Sequence, residues 1–283
     1  MSPSDPVPGG VFRLFSRSIL RSKLFVALCV LVAAIRLYQC ALLPIETGDV
    51  VRNLIYGVLV THYGFSASTE ALTHFSSAWS DVSWAAFPYS YPPVALAFFA
   101  LVATVSPTVF AVKLALTALE ALNAAAIARL CRSRSLGLLY WASPMSIWWV
   151  SREGQFEPLQ ASLTLLSLLT LASFPFVSGA ALALAISSKI TAGVIVPVFA
   201  YRLLQMKPAH RSLAALGLVA GFLPALFAEI SYHGMSNVLH YGSLLTYNPY
   251  YWNPFADMFA WNPAWLITVN ELASYAMLSA LVF

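Results

Sequence analysis

Charge is what this sequence has least of. Of its 283 residues only 9% are Asp, Glu, Lys or Arg, while 60% are hydrophobic. A soluble domain carries roughly 25% charged and about 45–50% apolar residues. A water-soluble fold could not cover its surface with so few charges, so that class is excluded. Cysteine is scarce too. Cys29, Cys40 and Cys131 lie in or beside apolar segments and form neither a metal spacing nor a disulfide framework. They read as small core residues. The chain also lacks a P-loop, a dinucleotide-binding glycine pattern and an internal repeat. The last absence weakens a transporter built on inverted repeats.

What is present is a series of apolar runs of about 20 residues, long enough to cross a hydrocarbon core as helices. The runs are continuous rather than alternating, which speaks for helices and against a barrel. The expected fold is all-α, a polytopic transmembrane helical bundle of about eight membrane helices, half-length ones included. The net charge of +4 does not point to nucleic acid. The basic residues sit in short clusters between apolar runs, which is a topology signal. Residues 1–23 read as a disordered, then basic tail, and Arg13, Arg17, Arg21 and Lys23 hold it in the cytoplasm. The next run is too long for a signal-peptide core and reads as an uncleaved span. Residues 24–283 then form one membrane domain, inserted in the lipid bilayer.

Leu24–Leu43 leads outward and Pro44 ends it. Residues 44–106 form a first outer loop in which Glu46, Asp49, Glu70 and Asp81 meet a single basic residue, Arg52. Within it, Val50–Tyr63 has the spacing of an amphipathic helix lying on the membrane, and residues 64–90 read as loop. Pro92–Val105 would cover about 21 Å as a helix, short of the roughly 30 Å core. If it crossed, the helix Thr108–Leu130 would deliver Arg129, Arg132 and Arg134 outside, so it is assigned to the outer surface. Leu136–Val150 runs outward to Ser151-Arg152-Glu153-Gly154-Gln155-Phe156-Glu157, and Leu159–Phe174 returns.

Ser178–Leu204 as one helix would be about 40 Å long with Lys189 in its middle. As two half-length helices meeting near Lys189 it returns Arg202, Lys207 and Arg211 to the cytoplasm, and this hairpin is the expectation. Ser212–Ile230 leads outward to a second outer loop, 231–262, which has no Lys or Arg and is crowded with aromatics. An interfacial belt and a carbohydrate platform both fit it. Ala264–Phe283 is a last span without a basic flank, as in a C-terminally truncated chain. On this arrangement ten of the fifteen Lys and Arg residues are cytoplasmic. The other five, Arg36, Arg52, Lys113, Arg152 and Lys189, fall in spans or at the outer edge, where a charge is a site candidate by default.

Three polar groups then share the outer side. Glu46 and Asp49 are three apart and would share a helix face. Either could take a proton from an attacking hydroxyl, and either Thr47 or Asp49 could instead cap the surface helix. Arg152, Glu153, Gln155 and Glu157 fall within six residues around Gly154, either as a site or as a polar connector. Lys189, with Ser187, Ser188 and Thr191, could neutralise a leaving phosphate or simply snorkel. Arg36 and Lys113 are further phosphate candidates that could equally pair with Glu120. The combination suits transfer from a lipid-phosphate donor; the alternative is a membrane transporter or a non-catalytic accessory subunit of a glycosylation complex.

The order of the motifs resembles the GT-C glycosyltransferases that use polyprenyl-phosphate sugars, among them the bacterial polyprenol-phosphate-mannose-dependent enzymes and the dolichyl-phosphate and GPI mannosyltransferases. The resemblance rests on Thr47-Gly48-Asp49 after the first span and on Tyr91-Pro92-Pro93. It continues through Ser143-Pro144, Glu153-Gly154-Gln155-Phe156-Glu157, and Ser188-Lys189 with Pro197. It departs at Ser90, Glu153 and Glu157, where the family more often has an acid, a His and an Asp. It implies a GT-C bundle with two surface helices in the first outer loop and transfer of a sugar, mannose first, with inversion. Asp49 would be the base. Glu46, Arg52, Tyr91, Arg152, Gln155, Glu157 and Lys189 would bind substrate, with Lys189 on the phosphate and Arg36 or Arg152 assisting. The partners implied are the polyprenyl-phosphate sugar donor and a glycolipid, glycan or protein acceptor. No cofactor and no metal ligand are assigned, and dependence on a divalent metal is left open. The protein would lie in the plasma membrane of a bacterium or the ER of a eukaryote, with its site on the extracytoplasmic side.

Overall fold

A computed structural model of the chain describes residues 23–44, 48–82 and 84–234. The N-terminal tail, Glu46 with its two neighbours, nearly all of the aromatic outer loop and the final apolar run lie outside the described residues. Every element among the described residues is helical, as the continuous apolar runs require. Three helices are long and apolar enough to cross a membrane: α1 (Lys23–Ala41), Val109–Leu130 and Pro208–Tyr232.

α1 buries only Val32, Arg36 and Cys40, one residue per turn on a single stripe, and turns Val26, Val30, Leu31 and Leu37 outward. α2 (Gly48–Tyr63) comes next. Its burial exceeds that of a helix resting on a surface: Val50, Leu54, Tyr56, Leu59 and Val60 are all enclosed. On one side it meets α3 (Pro93–Val105). A side chain at Gly57 would come within 2.7 Å of the Phe99 backbone, so glycine sets this close approach. On the other side lies 64–90. The sequence reads this stretch as loop, and it contains three short helical turns: Phe65–Thr69, Leu72–Phe75 and Ser77–Trp79. Ser and Thr hydroxyls that bond carbonyls three residues back, at Ser68 and Thr69, hold the first of them.

α4 (Val109–Leu130) is capped by Thr108, whose hydroxyl accepts from the Ala111 N–H. Its inner face alternates apolar and polar groups: Val112, Lys113, Leu116, Thr117, Glu120 and Asn123. The outward span expected over 136–150 is not one helix. α5 (Arg134–Trp141) stops, a short turn Pro144–Ser146 intervenes, and a π-helix runs from Ile147 to Arg152. Pro144 has no N–H to donate and would clash with the preceding turn. The Trp141 carbonyl left without a helical partner accepts two bonds from Arg36 instead, at 2.8 and 3.0 Å.

α6 (Glu157–Thr170) and α7 (Pro175–Ile186) are joined by a tight turn. The break expected near Lys189 is present. Lys189 is extended, a 3₁₀ turn covers Ile190–Ile195, and α8 (Val196–Leu204) folds back so that its Phe199 joins Leu182 of α7 in one buried cluster. α9 (Pro208–Tyr232) completes the described chain. α7 and α9 touch backbone to backbone through Gly179, Gly217 and Gly221, where a Cβ would meet carbonyls of the facing helix.

Candidate functional site

One member of each of the three polar groups lies on a single chain of contacts. The Tyr91 hydroxyl donates to Asp49 Oδ2 at 3.2 Å. The Tyr91 ring stands edge-on to Phe156, centroids 4.7 Å apart. Lys189 Nζ lies 5.2 Å from the centre of the Phe156 ring and donates to Glu157 Oε1 at 2.5 Å. Asp49, Tyr91, Phe156, Lys189 and Glu157 thus form one continuous line across elements far apart in sequence. Phe156 is fully buried, wedged between Tyr91 and Phe99, and acts as the post on which the others are arranged.

Two backbone features fix the line. Gly154 has φ +74°, and a side chain there would come within 2.6 Å of Val50 Cγ2. The polar loop therefore presses against the residue next to Asp49, in a conformation only glycine adopts readily. The Val94 N–H, at the start of α3, donates to the Ser187 carbonyl at 3.2 Å, tying the Tyr91-Pro92-Pro93 turn to the end of α7. Pro92 and Pro93 have no N–H to offer, so Val94 provides the first such donor of α3.

Not every sequence candidate is at this line. Arg52 is 1% exposed, and its guanidinium donates to the Ser90 hydroxyl (3.0 Å) and to the Phe87 and Pro88 carbonyls (3.3 and 2.5 Å). It clamps α2 to the segment that carries Tyr91, and the Tyr56 ring lies beneath it. The Tyr56 hydroxyl donates to the Glu70 and Phe87 carbonyls, and its burial pushes the phenol up to about 12. Arg152 and Gln155 are half-buried at the end of the π-helix, next to buried Glu153. Glu46 lies outside the described residues.

Arg36 and Lys113 are drawn away from this line. Arg36 is fully buried. Besides Trp141, it donates to Ser146 (2.9 Å) and Ser151 (3.1 Å), and it pairs with Glu120 at 3.5 Å. The Glu120 carboxylate also accepts from the Tyr140 hydroxyl at 2.6 Å and from Ser146. Thr117 joins Ser151 to Cys40. Lys113 donates to the Gln39 and Leu42 carbonyls at the C-terminal end of α1, where a cation opposes the helix dipole. Sequence reasoning left the pairing of Arg36 with Glu120 open and did not single out Phe156, Tyr140, Ser146 or Ser151. The one signal for the network was a lone Glu in the middle of a span, facing a lone Arg in another.

Compared with known proteins, the chain matches no family model, no curated protein and no solved structure.

Proposed function

We propose that this chain is an integral membrane glycosyltransferase of GT-C type. It would move a sugar, mannose being the first candidate, from a polyprenyl-phosphate donor to a hydroxyl acceptor on the extracytoplasmic side. The multi-pass topology, with half-length helices and both outer loops on that side, belongs to this proposal. The observation that carries it is the line Asp49–Tyr91–Phe156–Lys189, which sets a carboxylate and an ammonium at two ends of one aromatic strip.

On this reading Asp49 takes the proton of the acceptor hydroxyl as its oxygen bonds to the anomeric carbon. The bond from that carbon to the phosphate oxygen breaks on the opposite face, giving inversion, and its electron pair leaves on the lipid phosphate. Lys189 compensates the charge that develops there. The Tyr91 hydroxyl holds one oxygen of Asp49, so the other is the one turned to the acceptor. The Tyr91 ring, backed by the buried Phe156, offers the sugar an aromatic wall. Glu157 shares Lys189 with the phosphate and keeps the ammonium directed toward the site between turnovers. A transporter would use an ionisable group that changes partners within the bilayer; Glu120, the candidate for that role, is held by Arg36, Tyr140 and Ser146.

The test is transfer from polyprenyl-phosphate mannose in liposomes. Asp49→Asn is expected to lower the rate by about 10²–10⁴-fold, the usual worth of general acid–base catalysis. Undiminished transfer in that variant would sink the assignment of the base.

A further inference from the structure

Along the segment that carries Tyr91 lies a set of buried polar side chains without a partner among the described residues. Asn53 lies one helical turn after Asp49 on the same face of α2. It is 1% exposed, and neither its Oδ1 nor its Nδ2 has a hydrogen-bond partner among the described residues. The hydroxyls of Tyr89 and Ser187 are likewise buried and without partners. All three border the same short segment. The Tyr89 ring meets that of Tyr91 at 5.8 Å, and Ser187 receives Val94 on its carbonyl. Asn53 sits between Asp49, which holds Tyr91, and Tyr56, whose ring meets Tyr89 at 5.0 Å.

A buried polar group without a partner costs free energy, so folded chains keep few of them. Three bordering the segment from Tyr89 to Val94 call for a common reason. Their chemistry narrows it. An amide that both donates and accepts, with two hydroxyls, makes a set that is itself uncharged, and the neighbouring Arg52 already gives its terminal donors to Ser90, Phe87 and Pro88. Burial raises the Tyr89 phenol far above its ordinary range, which keeps it neutral. Such a set is poorly suited to a phosphate or a metal ion. It suits the paired donor and acceptor character of sugar hydroxyls.

We infer that Asn53, Tyr89 and Ser187 form a hydroxyl-binding subsite that reads the donor's sugar beside Asp49, with Asn53 as its specificity-determining residue. This inference rests on the proposed function. Entry requires the Tyr89–Tyr91 segment to lift, with Arg52 releasing Ser90, Phe87 and Pro88 and Tyr91 returning to Asp49 once the donor is seated.

The experiment uses the full chain in nanodiscs with two probes, polyprenyl-phosphate mannose and sugar-free polyprenyl phosphate. Asn53→Ala is expected to raise KM for the mannose lipid about tenfold, as the loss of one buried polar contact would. Its affinity for the sugar-free lipid, held at Lys189, should stay unchanged. Ser187→Ala should act in the same direction with a smaller effect. If the wild type transfers mannose but Asn53→Ala changes neither probe, or weakens both equally, the subsite is overturned and the enzyme reading stands. If the wild type neither transfers nor distinguishes the two lipids, both fall. Asn53→Leu provides a readout independent of activity. Its Tm should equal or exceed that of the wild type, because a polar group without a partner is removed. A clear drop in Tm would show that Asn53 is satisfied inside the protein, and would overturn the subsite.

Discussion

Arg36 meets Glu120 at 3.5 Å with side chains 0% and 3% exposed; Lys189 meets Glu157 at 2.5 Å with side chains 26% and 51% exposed. The two pairs are chemically alike, and their surroundings make them opposites. Around the first, Ser146, Ser151, Tyr140 and the Trp141 carbonyl engage the remaining donors and acceptors. A closed network of this kind holds helices together and has nothing to give to a ligand. Around the second, the Phe156 ring and open space leave both charges able to exchange partners. Fixed charge belongs to the scaffold, and charge free to change partners belongs to the site.

The comparison breaks if the two pairs respond alike to mutation. The largest effect is expected from severing the sealed pair. Arg36→Leu or Glu120→Leu alone should cost about 3–5 kcal/mol, since the surviving charge stays buried and uncompensated. Replacing both by Leu should recover most of that loss. Unfolding in mixed detergent, read by circular dichroism, measures both. Lys189→Gln should leave stability within about 1 kcal/mol yet lower sugar transfer by about 10²–10³-fold, as loss of a group that compensates developing charge does. If Lys189→Gln unfolds the protein instead, the open pair is scaffold as well.

Gly154→Ala sharpens the contrast from the backbone side. The φ of +74° and the contact with Val50 should make it cost about 1–3 kcal/mol, measured by the same unfolding, with transfer reduced in the fraction that stays folded. The smallest effect concerns Tyr56. Its folded pKa, about 12, lies above that of a free phenol. Its contribution to stability is therefore complete below the free phenol's range and is lost as pH rises through the folded value. Tyr56→Phe should flatten that alkaline decline in a pH series of Tm.

Part of the helical organisation was legible in the sequence because membrane chains limit the length of each apolar run and place charge between runs. The break at Lys189 comes from a run too long for one span and from the basic residues after it. The start of α4 at Thr108 comes from the apolar run behind it, and the structure adds that Thr108 caps it. The meeting of Asp49 with Tyr91 and of Lys189 with Glu157 was legible only as an order of motifs, because no local spacing tells how separate helices pack. Arg52 is placed in a way its sequence neighbours do not foretell. As the only cation in an acidic loop it reads as a ligand for substrate, but folding gives its donors to Ser90, Phe87 and Pro88. Phe156 stands in the Glu153–Glu157 motif without a role of its own, because aromatics are common throughout this chain and only packing shows which one is central. The interrupted span at 142–146 had its cause in plain sight at Pro144. The sequence could not show that a guanidinium from α1 would take the carbonyl freed there.

The π-helix has a consequence for how this site can be lost. The Glu153 N–H bonds to the Trp148 carbonyl, five residues back, at 3.0 Å. A turn of this kind is an α-turn that has gained one residue. Deleting a single residue between 147 and 152 would restore the ordinary ladder and rotate the downstream chain by about 100°. Gly154 would swing away from Val50, and Phe156 away from Tyr91, while the hydrogen bonding of the segment stayed whole. A one-codon deletion is thus the smallest genetic event that could disconnect Asp49 from Lys189 without introducing any new side chain.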